Sequence, residues 1–160
     1  MATDTTPGAL STETFDGSEL DFWLGEWDAR WGEAGRGTNR LTRILGDRVI
    51  REDFSGGGAA GHLNGLSLSV FDPDRRLWHQ TWVDDQGGYL ELVGDVVDGC
   101  FAFGRGAPED GPSTKQQMVF RDPGAASFRW TWEISEDGGA TWEIRWDIAY
   151  TRTSGALPAA

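Results

Sequence analysis

The sequence predicts an all-β fold: a single antiparallel up-and-down barrel of about ten strands, preceded by a short helix. Three observations lead to this prediction. Apolar residues recur with a period of two from Trp27 onward, which is the spacing of a half-buried strand. Clusters rich in Gly, Asp and Pro interrupt that pattern at short intervals, as turns do. The 160 residues include 9 tryptophans and 8 phenylalanines, so the core is expected to be built of large flat side chains.

The chain is expected to form one domain with a polar segment at each end. Residues 1–15 lack a continuous apolar run and residues 154–160 form a short tail, so both are expected to be disordered. The barrel is expected over residues 16–153, a length typical of one domain. Within "DGSELDFWLGEW", Asp16 or Ser18 is a suitable N-cap for the short helix.

Charge and cysteine content narrow the class of protein. The 14 basic and 26 acidic side chains give a net charge of −12, which repels phosphate backbones and anionic lipids. Neither nucleic acid nor a membrane is therefore expected as a partner, although the chain could pair as a homodimer. The N-terminus lacks the basic and apolar regions of a signal peptide, and the lone Cys100 agrees with a reducing compartment. A cytoplasmic location is predicted.

The clearest alternation lies in the last two predicted strands. One face of the first carries Phe128, Trp130, Trp132 and Ile134, and one face of the second carries Trp142, Ile144, Trp146, Ile148 and Tyr150. These faces are predicted to point inward. The turn between them, "SEDGGATW", is similar to the Asp-box motif and is interpreted as a structural turn.

The stretch "WHQTWVDD" raises the question of which face lines the interior. Trp78, Gln80 and Trp82 share one face, and packing two tryptophans inward removes more apolar area than the opposite choice. That face is predicted to point into the barrel. His79 then lies outside, where it is interpreted as a solvated histidine and not as a catalytic base.

Two earlier stretches supply charges that could reach the lumen. "RVIREDFS" places Glu52 on a face with Ile50 and Phe54, and "GTNRLTRIL" places Arg40 opposite Leu41. If both charges face the lumen, they should pair or contact a ligand, because burying an isolated charge is costly. The alternative is that both face solvent.

The chain also resembles a known family in several separated blocks. The matching strings are "LDFWLGEWDARW", "GTNRLTRILGDRVIREDFSG", "GLSLSVFDPDRRLWHQTWVDDQGGYLEL", "MVFRD" and "SEDGGATWEIRWDIAYTR". From about Leu20 to Arg152 it is similar to a lipocalin-like (calycin) family of uncharacterised bacterial proteins. The resemblance implies a calycin-type β-barrel with a short helix across one end. It implies no activity, so no catalytic residue is carried over.

The function predicted first is the binding of a small, largely apolar or aromatic molecule in the lumen. The residues expected to contact it are Trp27, Arg40, Glu52, Gln80, Trp82, Trp130 and Trp146. The alternative is an enzyme that uses the lumen for acid–base chemistry, such as an isomerase, cyclase or lyase, with Glu52 as the candidate catalytic group. In that case Arg40 or Gln80 would hold a developing oxyanion. Whether the protein is an enzyme stays open at this point.

No metal and no cofactor are expected. The two histidines, His62 and His79, and the single cysteine match no metal-binding spacing. A haem-binding barrel of the nitrobindin type would need a histidine on a late strand, and none follows His79. A carbohydrate-binding role, with exposed tryptophans as platforms for sugars, is a further alternative.

Overall fold

The computed structural model describes residues 15–153 as one closed barrel of ten antiparallel strands. The predicted fold class and number of strands are therefore confirmed. The strands are β1 (Gly25–Trp31), β2 (Gly35–Ile44), β3 (Val49–Gly58), β4 (Gly61–Asp72), β5 (Leu77–Asp84), β6 (Tyr89–Val97), β7 (Cys100–Gly106), β8 (Lys115–Arg121), β9 (Ser127–Ser135) and β10 (Glu143–Arg152). Each strand pairs with its neighbours in the sequence, and β1 pairs with β10 to close the barrel.

The predicted disordered ends fall almost entirely outside the described residues, since residues 1–14 and 154–160 lie beyond them. Phe15, the last residue of the predicted leader, is fully buried, and its ring centroid lies 5.4 Å from that of Phe101. The packed part of the chain therefore includes this residue.

The predicted N-terminal helix is wrong. The only helical element among residues 15–153 is a single 3-10 turn, Asp21–Trp23. Gly17 has a φ of +94°, which a right-handed helix cannot accommodate. After Trp23 the chain leaves the helical region, because Leu24 is extended (φ −60°, ψ 145°) and β1 begins at Gly25. The carbonyls of Phe22 and Leu24 accept hydrogen bonds from the Arg152 guanidinium. Over the same residues, no helix has the length and apolar character needed to cross a membrane.

The segment 15–24 seals one end of the barrel, which we call the closed end. Leu20 is fully buried there, and Trp23 packs edge-on against Phe120 with ring centroids 5.1 Å apart. Trp27 donates its indole N–H to the carbonyl of Trp23 at 2.7 Å. The opposite end, which we call the open end, carries the β1–β2, β3–β4, β5–β6, β7–β8 and β9–β10 turns.

A bulge in β10 changes the predicted inward face of that strand. Ile144 pairs with Glu133 but Trp146 pairs with Trp132, so one extra residue, Arg145, is inserted between them. The extra residue reverses the alternation toward the open end. Trp146, Ile148 and Tyr150 face inward as predicted. The predicted inward positions of Trp142 and Ile144 are wrong: these side chains are 36% and 47% exposed.

Candidate functional site

An internal cavity of about 220 Å³ lies between the closed end and the open end. Its aromatic walls are Trp23, Phe54, Trp82, Trp130, Trp132, Trp146 and Tyr150, and its aliphatic walls are Leu63, Leu90, Met118 and Ile148. Two carboxyl groups, Glu52 and Asp84, complete the lining.

The aromatic walls meet at right angles. The rings of Trp130 and Trp146 are 5.7 Å apart with an angle of 89° between their planes, and those of Phe54 and Trp146 are 5.7 Å apart at 90°. Edge-to-face pairs of this kind are favourable, so the rings hold one another in place. The cavity is therefore bounded by adjoining aromatic planes whose orientation is fixed by packing.

Glu52 lies on an inward row that crosses four strands. It pairs with Ser67 on β4, which pairs with Trp82 on β5, which pairs with Leu90 on β6. The Glu52 carboxylate accepts hydrogen bonds from Asn39 Nδ2 at 2.7 Å and from Ser67 Oγ at 2.8 Å. Burial raises the pKa of Glu52, and these two hydrogen bonds offset only part of that effect.

The amide of Asn39 is satisfied on one side only. Its Nδ2 donates to Glu52, whereas its Oδ1 is buried with no hydrogen-bond partner among the residues of the described barrel. If the amide turned over, Oδ1 could accept a hydrogen bond donated by the O–H group of a neutral Glu52. Asn39 can therefore accommodate either protonation state of Glu52.

Tyr150 places a second titratable group beside Glu52. Its ring stacks on Phe128 at 4.6 Å, and its side chain lies next to Asn39 and Glu52. Burial and the negative charge of Glu52 raise the pKa of Tyr150 well above its ordinary value. The Tyr150 hydroxyl stays protonated at neutral pH and can donate a hydrogen bond into the cavity.

Asp84 fixes Trp82 at the open end of β5. Its carboxylate accepts the indole N–H of Trp82 at 2.8 Å and the backbone N–H groups of Gln86 and Gly88 at 2.9 Å each. Burial alone would raise the pKa of Asp84, but these hydrogen bonds outweigh it and lower the pKa. Asp84 is therefore an ionised carboxylate whose position is set by the β5–β6 turn.

The cavity opens into a wider mouth bordered by Trp31, His62, Gln86 and Arg145. The two basic side chains there are already engaged. His62 Nε2 lies 3.1 Å from Asn64 Oδ1, and the Arg145 guanidinium lies 3.2 Å from the Glu143 carboxylate. The mouth thus offers a route to solvent at the open end.

The structure brings together four of the residues predicted to contact a ligand: Glu52, Trp82, Trp130 and Trp146. The inward orientation of Trp78, Gln80 and Trp82 is confirmed, since Trp78 and Gln80 are 2% exposed while His79 is exposed.

Three other predicted residues do not line the cavity. Gln80 lies one row nearer the closed end, where its amide donates to Ser69 Oγ at 3.0 Å. Trp27 is a core residue at the closed end, with the Arg152 guanidinium 4.1 Å from its ring centroid. Arg40 is on the outer face, with its Nε 3.8 Å from Glu26.

The prediction that Arg40 could face the lumen is wrong for a packing reason. Asn39 and Leu41 take the inward positions of β2 and are each 2% exposed. This choice buries the apolar Leu41 and gives Glu52 a hydrogen-bond donor from Asn39. It also leaves the Arg40 charge in solvent, where it has no desolvation cost.

Sequence reasoning missed several members of the site, although a signal existed for most of them. Four of them lie on the same strand face as a predicted site residue, so the alternation of side chains alone could have included them: Phe54, Asp84, Trp132 and Tyr150. Asn39 could have been found only by choosing the correct face of β2. Ser67 carried no signal, because "GLSLSV" places serine and leucine alternately without showing which set is inside.

No protein-family model matches this chain, and a search of curated proteins finds no match either. Residues 15–153 contain no group of three or more His, Cys, Asp or Glu side chains that could hold a metal ion. The chemistry of the site therefore has to be inferred from the residues that form it.

Proposed function

We propose that the barrel lumen binds one small, largely apolar or aromatic molecule. The observation that carries this proposal is the cavity of about 220 Å³ with adjoining tryptophan walls. Side chains fill the closed end, but the lumen above Trp23 is unfilled and opens to solvent. A barrel interior of this kind can hold a single small ligand.

The proposal is tested by titrating the protein with 2-naphthol, a neutral aromatic probe, in a calorimeter. We expect saturable binding with a stoichiometry of one. Trp82→Ala removes one wall of the cavity and should weaken binding by ~1–3 kcal/mol, the value of one buried aromatic side chain. Native mass spectrometry of freshly purified protein would show in addition whether a natural ligand is retained.

His79→Ala is the matched control for Trp82→Ala, because His79 lies on the same strand with its side chain outside the barrel. Its affinity for 2-naphthol should equal that of the wild type. An affinity that falls in His79→Ala but not in Trp82→Ala would contradict the proposed binding site.

A second candidate function is acid–base catalysis in the same lumen. It is favoured by Glu52, a buried carboxyl group with a raised pKa that faces the cavity beside the protonated Tyr150 hydroxyl. Glu52 would transfer the proton and Tyr150 would donate a hydrogen bond to a developing oxyanion. Arg40 and Gln80, which the sequence suggested for the second role, do not border the cavity.

Glu52→Gln separates catalysis from binding. The variant keeps the shape of the side chain but cannot transfer a proton, so turnover of a bound metabolite should be lost while binding persists. Product analysis by mass spectrometry after incubation with aromatic metabolites provides the measurement. Turnover at the wild-type rate in Glu52→Gln would remove this candidate.

We also propose that the chain belongs to the lipocalin-like family of uncharacterised bacterial proteins and acts in the cytoplasm. Support comes from the closed barrel with one covered end and from the single cysteine. The net charge of −12 argues against nucleic acid and anionic membranes as partners. Homodimerisation stays a prediction, to be checked by sedimentation equilibrium.

A further inference from the structure

The carboxyl groups that border the cavity have no basic partner in its lining. Glu52 and Asp84 are the acidic members of the lining, and within the part of the chain that the structure describes no Arg, Lys or His joins them. Arg40, which could have neutralised Glu52, is in solvent beside Glu26. The lumen therefore offers the Asp84 carboxylate to a ligand and, in Glu52, a second acid whose ionised form a cation would stabilise. The lining has no cation to pair with a carboxylate or phosphate.

The walls add to this preference. Five tryptophans, Trp23, Trp82, Trp130, Trp132 and Trp146, border the same cavity. The face of an indole ring carries negative electrostatic potential, and tryptophan is the aromatic residue that attracts cations most strongly. Trp130 and Trp146 meet at 89°, so ring planes of two orientations border the space for a guest. Aromatic cages of this kind recognise ammonium groups.

The position of the two carboxyl groups suits an elongated guest. Asp84 is at the open end of β5, whereas Glu52 is one row deeper, opposite Ser67. Both are held by hydrogen bonds before any ligand arrives, so little reorganisation is needed. Neither of the two basic groups at the mouth, His62 and Arg145, lines the cavity itself, and Arg145 is already paired with Glu143.

We infer that the ligand of this lumen is a small organic cation, a primary or quaternary amine attached to an aromatic or apolar body. This inference rests on the proposed function and names its ligand class. The negative charge of the whole protein, −12, would also attract such a ligand during its approach.

The test compares three probes of similar shape and different charge: 2-phenylethylammonium, 2-phenylethanol and phenylacetate. Each is titrated into the wild-type protein by calorimetry at low ionic strength. The affinity for the ammonium should exceed that for the neutral alcohol by a factor of about ten or more, and phenylacetate should bind most weakly.

Variants assign the preference to the two carboxyl groups. Glu52→Gln and Asp84→Asn should each lower the preference for 2-phenylethylammonium over 2-phenylethanol several-fold, measured as the ratio of the two affinities. Glu91→Gln, an exposed outer-face change on β6, is the control for loss of one negative charge and should change neither. The two variants are independent, so a folding defect in one does not prevent the test.

The outcomes distinguish a failure of the cation inference from a failure of the proposed function on which it rests. Equal or tighter binding of the alcohol or of phenylacetate would overturn the cation inference and leave the apolar binding site standing. An ammonium preference that persists in both variants would also overturn it. If 2-naphthol and all three charged and neutral probes fail to bind, the proposed function itself is contradicted.

Discussion

The indole ring of Trp82 occupies the space into which a side chain at Gly65 would extend. A Cβ on Gly65 would lie 2.1 Å from both Cη2 and Cζ2 of that ring, far inside van der Waals contact. Gly65 pairs across the sheet with Asp84, whose carboxylate holds the indole N–H. One wall of the cavity is thus fixed from two sides, by the absence of a side chain on β4 and by a hydrogen bond on β5.

Gly65→Ala should displace the Trp82 ring. The added methyl group cannot be accommodated without moving the indole, so we expect a loss of stability of ~1–3 kcal/mol, as for other overpacked sites. The near-ultraviolet circular dichroism of the tryptophans should change as well. Urea denaturation and that spectrum provide the measurements.

Gly106→Ala is the control for this change, since an added Cβ at Gly106 would meet no atom within 4 Å. Its stability and spectrum should remain close to those of the wild type. The interpretation of Gly65 is contradicted if the two alanine variants behave alike.

As the pH rises, the stability of Glu52→Gln should increase relative to that of the wild type. The folded-state pKa of Glu52 lies above its ordinary value of 4.5, so the folded protein retains a proton that the unfolded chain releases. Stability due to Glu52 therefore falls as the pH rises from the unfolded pKa through the folded pKa. A tenfold difference in proton affinity between the two states is worth about 1.4 kcal/mol.

The measurement is urea denaturation of the wild type and Glu52→Gln at pH 5 and pH 8. Between pH 5 and pH 8, the free energy of unfolding of the variant should rise relative to that of the wild type. Glu136→Gln, an exposed change in the β9–β10 turn, controls for the loss of a surface charge. A stability difference that does not vary with pH would be evidence against a raised pKa at Glu52.

Glu133 should show the opposite pH dependence. Burial would raise its pKa, but hydrogen bonds from Arg121, Gln117 and Thr131 outweigh burial and lower it. Its contribution to stability is present above the unfolded pKa and is lost as the pH falls through the folded pKa.

At pH 7, Glu133→Gln should destabilise the protein by ~1–3 kcal/mol, because Arg121 keeps its charge and loses the closer of its two carboxylate partners, Glu133 at 2.7 Å and Asp98 at 3.5 Å. That deficit should shrink in denaturation curves recorded near pH 3. Glu143→Gln removes an exposed carboxylate from an ion pair with Arg145 and should cost far less. Equal losses in the two variants would refute the buried role of Glu133.

Arg152→Lys should loosen the closed end. The Arg152 guanidinium donates to the carbonyls of Phe22, Leu24 and Ala125 and lies over the Trp27 ring. A lysine ammonium cannot reproduce this planar set of donors, so we expect a loss of about 1.5–3 kcal/mol. Thermal unfolding beside the exposed control Arg75→Lys checks this, and equal melting temperatures would rule it out.

The sequence allows the barrel and much of its inner surface to be predicted, because successive side chains of a strand point alternately into and out of the barrel. The inward positions of Trp78 and Gln80 follow correctly from the apolar area that the two choices would bury. The same reasoning fails at Arg40, where both faces of β2 are mixed and the deciding contact, Asn39 with Glu52, joins residues on different strands.

Parity also fails at Ile144, for a different reason. The bulge at Arg145 depends on how β10 pairs with β9 and leaves no signature in the alternation itself. The helix prediction fails because Leu24 is already extended and β1 begins at Gly25, where pairing with Leu41 of β2 draws the chain into the barrel. Each error lies where a partner distant in the sequence decides the local structure.

The pairing of β1 with β10 has a consequence for how the protein is made. β1 is the first strand of the barrel to be synthesised, but the strand that completes its hydrogen bonding is the last. Until then β1 is an unpaired edge strand that can pair with other nascent chains. The hydrogen bonds from Arg152 to the carbonyls of Phe22 and Leu24 are also absent. Closure of the barrel must therefore follow translation of its final strand. A message truncated before β10 would yield an open sheet with two unpaired edge strands, β1 and β9.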